Sequence, residues 1–126
     1  VGVDERIDVL LVGFDPATVP DVDAAMVEYA IEIGRGRLDD AGFAADECLI
    51  AFDDPDAEAE VVRCLTAKPY ACVVVGGGIR KPEALLERFE RVVNLIHRHA
   101  PQAAIAFNTN PTDSADAAAR TLATLH

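Results

Sequence analysis

At 126 residues, 51% of them hydrophobic and 26% charged, the chain has the size and composition of one folded domain with its own core, which argues against disorder and against a need for disulfide or metal staples. The formal net charge of −11 is unevenly spread: residues 1–60 hold 17 of the 22 acids and three of the 11 bases, a balance of −14, and residues 61–126 carry +3. Such acidity repels phosphate backbones and anionic lipid, so the expected partners include no nucleic acid and no membrane.

The first predicted strand is IDVLLVGF (Ile7–Phe14), nearly continuous apolar after Asp8, as a parallel strand buried on both faces requires. The loop DPATVPD leads into a helix starting near Asp21, with an apolar stripe of Val22, Met26, Tyr29 and Ile33. GRGR (Gly34–Arg37) perturbs or ends this helix, while Leu38 and Ala41 carry the pattern on to Gly42, a residue suited to stop it. The second strand is placed at CLIAF (Cys48–Phe52), followed by DDPDAEAE with Asp54 as helix cap, Pro55 at the first helical position, and Val61, Val62 and Leu65 facing inward.

The third strand, ACVVV (Ala71–Val75), runs into three glycines. Leu85, Leu86, Phe89, Val92, Val93 and Ile96 then form the most regular amphipathic stripe in the chain, with Glu87 and Arg91 as an outward pair. AAIAF (Ala103–Phe107) is the fourth strand, and NTNPTDSADAAARTLATL leads into a final alanine-rich helix capped near Asp113.

Strict β–α alternation at this spacing predicts a single α/β domain over residues 1–126. It is a three-layer flavodoxin-like fold with a four-stranded parallel sheet in the order 2-1-3-4. In that order strands 1 and 3 are neighbours whose connections leave in opposite directions, and ligands of open α/β sheets bind beyond the strand ends at such a switch point. The expected crevice is walled by GFDPAT and GGGIRK, with NTN at its flank.

The glycine stretch Gly76, Gly77, Gly78 admits two readings. It is a tight strand-to-helix turn, or its exposed amides, with Arg80 as a planar donor fork and Lys81 as a point charge, seat an anion. It matches neither the G-x-x-x-x-G-K-[ST] nor the G-x-G-x-x-G phosphate motif, so no cofactor is named by it.

From Cys72 to Asn110 the pattern CVVVGGGIRKPEALLERFERVVNLIHRHAPQAAIAFNTN resembles the central block of the SGNH (GDSL-type) hydrolases. There a strand ends in a G-x-N-D loop, an amphipathic helix follows, and an aP-x-a-x-I turn enters the next strand. On that pattern Gly78 matches the glycine, while Arg80 stands at the oxyanion-hole asparagine and Lys81 at its acidic neighbour. The family's G-D-S nucleophile turn reads GFDP, with Thr18 the nearest hydroxyl, and no aspartate lies three residues before His97, His99 or His126. The resemblance implies a three-layer fold without the esterase chemistry. Response-regulator receiver domains offer a second comparison through Asp15, Asp53 and Asp54. Their phosphoacceptor position falls on Gly76–Gly78 here, and their fifth strand is missing.

Other reactive groups are few. Cys48, Cys64 and Cys72 form no C-x-x-C pair, and each reads as a small hydrophobe, with Cys48 and Cys72 opening their strands at the end remote from the crevice. Their number and spacing fit a reducing, cytoplasmic location, and no signal peptide, transmembrane run or lipidation motif is visible. His97 and His99 do not face one another, and Asp53, Asp54 and Asp56 suit a helix start, so no metal site is expected. Asp15 stands opposite Arg80, able to orient a ligand, act as a base or simply pair with the arginine; Asn108 and Asn110 could bind a polar ligand or make turns.

Three functions remain open: a binder of an anionic or polar small molecule, a non-catalytic homodimeric module, and an enzyme with Asp15 as base and Arg80 as stabiliser. The homodimer would form through the last helix (Ala115, Ala118, Ala119, Ala123) and the sheet edge. The first is the primary expectation, with Asp15, Thr18, Gly76, Gly77, Gly78, Arg80, Lys81, Asn108 and Asn110 as ligand residues.

Overall fold

A computed structural model describes residues 6–125; residues 1–5 of the expected domain, and His126, lie outside the described residues. Four strands, β1 (Ile7–Phe14), β2 (Phe43–Ile50), β3 (Cys72–Val75) and β4 (Ala104–Phe107), pair in parallel in the order β2-β1-β3-β4. The helices are α1 (Ala24–Asp40), α2 (Ala57–Thr66), the single turn α3 (Gly77–Arg80), α4 (Leu86–His99) and α5 (Ser114–Leu125). This is the flavodoxin-like three-layer arrangement that the alternation predicts. In register, Val12 lies beside Cys48 on one side and Val75 on the other, and Val75 lies beside Phe107.

The period-two alternation of the strands feeds two cores. Leu10, Val12, Val73 and Val75 pack with Val61 and Leu65 of α2 and Val92 and Ile96 of α4 on one face. Val9, Cys72 and Val74 pack with Leu38 of α1 and Ala117 and Ala118 of α5 on the other. All four residues of β3 are buried, which is why that strand reads as an unbroken apolar run. Each such valine or leucine contributes about 1.5–3 kcal/mol by leaving water. Among the described residues, no helix is long and apolar enough to cross a membrane.

Several boundaries differ from expectation, each for a local reason. β2 begins at Phe43 and ends at Ile50; its half-exposed middle, Ala44–Glu47, lacks the buried-strand signature because β2 is an edge. Cys48 therefore sits near the crevice end of its strand rather than opening it. Asp54 does not cap α2: its carboxylate accepts the Asp56 N–H at 2.8 Å, closing a turn that holds Pro55 outside the helix. Leu86 opens α4 but is 58% exposed, so the α4 stripe starts at Phe89. Arg91 reaches across to Glu58 of α2 at 3.4 Å instead of pairing with Glu87.

The largest correction concerns α1. It runs through GRGR to Asp40 and stops before Gly42, whose φ of +91° suits glycine alone. Yet the expected inner stripe faces outward: Met26 is 69% and Tyr29 66% exposed, while Gly34 and Leu38 are buried. The inner face is Val27, Ile31, Gly34 and Leu38, the same i, i+4, i+7, i+11 spacing displaced around the helix. In α5 the small-residue face is also partly used: Ala118 is buried on the sheet and Ala115 half-buried, leaving Ala119 and Ala123 exposed.

Gly34 fixes where α1 sits. A Cβ added there would lie 2.0 Å from the Pro111 carbonyl oxygen, whereas one at Gly36 would meet nothing within 4 Å. Gly34→Ala is expected to destabilise the fold by about 1–3 kcal/mol through overpacking against backbone. Gly36→Ala is expected to stabilise it by up to about 1 kcal/mol through helix propensity alone. Urea unfolding of the two variants checks both signs, and equal effects would overturn the assignment of the close contact.

Candidate functional site

A crevice of about 660 Å³ opens at the carboxyl ends of β1 and β3, where the strand order predicts one. Its floor is the sheet surface of Leu11, Gly13, Leu49 and Val74, and Val27 and Ile31 of α1 form one wall. The loop with Val19, Pro20 and Val22 closes the mouth, and the glycine turn with Pro82 and Leu85 forms the opposite side. The polar residues of the lining are few: Asn108, Thr109, Asn110, Ser114, Lys81 and, beside Leu11 on β2, Glu47. Gly13 leaves the floor open, since a Cβ there would touch only the Leu49 side chain, at 3.9 Å.

Two of the three glycine amides are engaged within the fold. The Gly76 N–H donates to Val12 O at 2.8 Å and the Gly77 N–H to Asn108 Oδ1 at 2.9 Å, and the chain then coils directly into α3. The glycines instead keep the crevice wall free of side chains: a Cβ on Gly78 would meet nothing within 4 Å. Arg80 is engaged in part, its buried Nε having no hydrogen-bond partner among the described residues. Its Nη2 donates to Asn108 O at 2.9 Å, its guanidinium lies 6.0 Å from the Phe107 ring centre, and it does not line the crevice. Lys81 does line it, with Nζ donating to the Thr109 carbonyl.

Asp15 forms no ion pair with Arg80; its carboxylate accepts the Ala17 N–H at 3.1 Å and caps the turn Pro16–Thr18. Thr18 Oγ1 donates to Asp15 O at 2.7 Å and accepts the Phe52 N–H at 3.0 Å, tying the β1 loop to the β2 loop. Neither residue reaches the crevice lining. Asn108 lines the crevice but is only 6% exposed, with Nδ2 donating to Ser114 Oγ at 3.0 Å. Asn110 and Asp113 cap the turn Pro111–Asp113 reciprocally. Of the nine expected ligand residues, six (Gly76, Gly77, Gly78, Lys81, Asn108, Asn110) share the crevice and three (Asp15, Thr18, Arg80) support it from outside.

Composition hid the residues that dominate the lining, because Val27, Ile31, Leu49 and Gly13 are ordinary core types. A signal for two of them was present: Val27 and Ile31 open the second helical stripe of α1. Burial pushes the Cys48 and Cys72 thiols above the usual thiol range, which makes those two poor nucleophiles. Among the described residues, no group of three or more His, Cys, Asp or Glu side chains is placed to hold a metal. Set against known proteins, the chain matches no protein family, no curated protein and no solved structure.

Two substitutions test how the lining is held. Asn108→Ala leaves the buried Gly77 N–H without an acceptor and is expected to cost about 1–3 kcal/mol in chemical denaturation; a loss within error would remove Asn108 from the framework of the site. At Asp113, burial pushes the carboxyl pKa up, but hydrogen bonds from Thr109 and from the Asn110 N–H outweigh it and hold it below the ordinary value. Its stabilisation is therefore complete above about pH 3.9 and lost as pH falls through the folded pKa. Asp113→Asn is expected to flatten the acid limb of the stability profile below about pH 4, and an unchanged limb would contradict it.

Proposed function

We propose that the domain binds a small molecule in the crevice at the β1/β3 switch point, and that most of that molecule is apolar. The observation that carries this reading is the lining: an apolar floor and α1 wall, with few polar side chains among the lining residues. The volume of about 660 Å³ is in the usual range for small-molecule sites. The ligand's body would lie on Leu11, Gly13 and Leu49 against Val27 and Ile31, and its polar end would meet Lys81 and the Asn108–Asn110 turn. An inorganic anion is a poor fit, because the Gly76 and Gly77 amides and one Arg80 guanidinium nitrogen already have partners within the fold. Three unpaired cysteines, two of them buried, suit a reducing cytoplasmic location for such a binder.

Nile red, a neutral apolar fluorophore, tests the reading directly. Wild-type protein is expected to enhance its emission saturably. Gly13→Leu, which places a side chain into the open floor, is expected to weaken that binding by about tenfold or more while leaving the urea midpoint of the fold near wild type. Phosphate and sulfate are expected to leave the melting temperature unchanged, since a ligand stabilises only as RT ln(1 + [L]/Kd). Equal enhancement by wild type and Gly13→Leu, or stabilisation by phosphate that Arg80→Ala removes, would overturn the apolar crevice in favour of another site.

A further inference from the structure

Helix α1 carries two apolar stripes, and the fold uses only one. Val27, Ile31, Gly34 and Leu38 face the sheet and the Pro111 turn. Met26, Tyr29 and the half-buried Ile33 repeat the i, i+3, i+7 spacing of Ile31, Gly34 and Leu38 on another side of the helix, roughly 140° around. Met26 is 69% and Tyr29 66% exposed, the two most exposed large apolar side chains among the described residues. Exposed Ala25 and Gly36 beside the stripe, the latter with nothing within 4 Å of an added Cβ, allow another helix to come close.

Charge selects the occupant. Asp21, Asp23, Glu28 and Glu32 are exposed around the stripe, and neither Glu28 nor Glu32 is in an ion pair among the described residues. The two cations of α1 are engaged elsewhere: Arg35 with Glu47 at 2.8 Å, and Arg37 with the Thr112 carbonyl at 3.0 Å. A second copy would bring another net charge of −11 to the same acidic flank. We propose that the outer face of α1 is a docking surface for a basic amphipathic helix of a partner protein. Its apolar side chains would cover Met26 and Tyr29, and its lysines or arginines would lie along Glu28 and Glu32.

The probe is a synthetic helical peptide of leucine and lysine, about four turns long, titrated into ¹⁵N-labelled protein at roughly 150 mM salt. Its counterpart with glutamate for lysine is titrated in parallel. Saturable amide shifts confined to α1 and its preceding loop are expected for the basic peptide and none for the acidic one. Met26→Asp is expected to weaken binding by about tenfold or more, whereas Ala119→Asp, the same added charge on the exposed face of α5, is expected to leave it within about twofold. Shifts scattered over the whole acidic surface, or equal weakening by both variants, would show general charge attraction and overturn the proposal. No binding, or self-association abolished by Met26→Asp, would overturn it as well.

Discussion

The carboxyl edge of the sheet depends on one buried side chain. Asn108 follows β4, yet its Oδ1 accepts from Gly77 after β3 and its Nδ2 donates to Ser114 at the start of α5, so a single amide joins three elements. Its backbone carbonyl also receives Arg80. A buried amide is costly unless its donors and acceptors are met, and these partners meet them on both sides. The consequence reaches beyond stability. By engaging the glycine turn from the neighbouring strand, Asn108 takes up the Gly77 N–H and fixes the turn as part of the crevice wall.

That engagement bears on why the crevice is apolar although a basic, glycine-rich motif borders it. Arg80 is drawn to the Asn108 carbonyl and the Phe107 ring, and Lys81 to the Thr109 carbonyl, so both basic side chains hold the β4 loop against α3. What remains facing inward is the sheet surface around Gly13 and the inner stripe of α1. At its other end α1 is pressed onto the Pro111 carbonyl at Gly34, where no side chain would fit. The helix thus touches backbone at one end and borders an open floor at the other, both through glycines.

The fold was legible in the sequence because its signals are non-local and redundant: four apolar runs separated by helical patterns leave few topologies, and β3 and α4 announce themselves. The position of the crevice followed from topology alone. Its chemistry did not. Whether an arginine beside glycines binds a ligand or a backbone carbonyl depends on what the next strand brings, and Asn108 lies far along the chain from Gly77. The α1 error has a different cause. Two stripes of equal spacing coexist on that helix, and periodicity cannot say which one the sheet will cover; the close contact at Gly34 decides it. The edge strand β2 was found late because half-exposed residues do not form an apolar run.

The acidic half of the chain gains a structural meaning once the βα loops are compared. After β1, Asp15 caps the next turn and Asp23 caps α1; after β2, Asp54 accepts the Asp56 N–H; after β4, Asp113 accepts from Thr109 and Asn110. Only the β3 loop lacks such an acid, with no side-chain cap of its own at α3, and there Asn108 supplies the acceptor from outside. Carboxylates at helix and turn starts are stabilised by the N–H groups they face, which accounts for their placement without any ligand. They also set the field at the carboxyl edge. With aspartates in three of the four loops bordering the strand ends, an incoming anion meets repulsion before it meets Lys81. That field favours the uncharged, mostly apolar ligand proposed for the crevice over an anionic one.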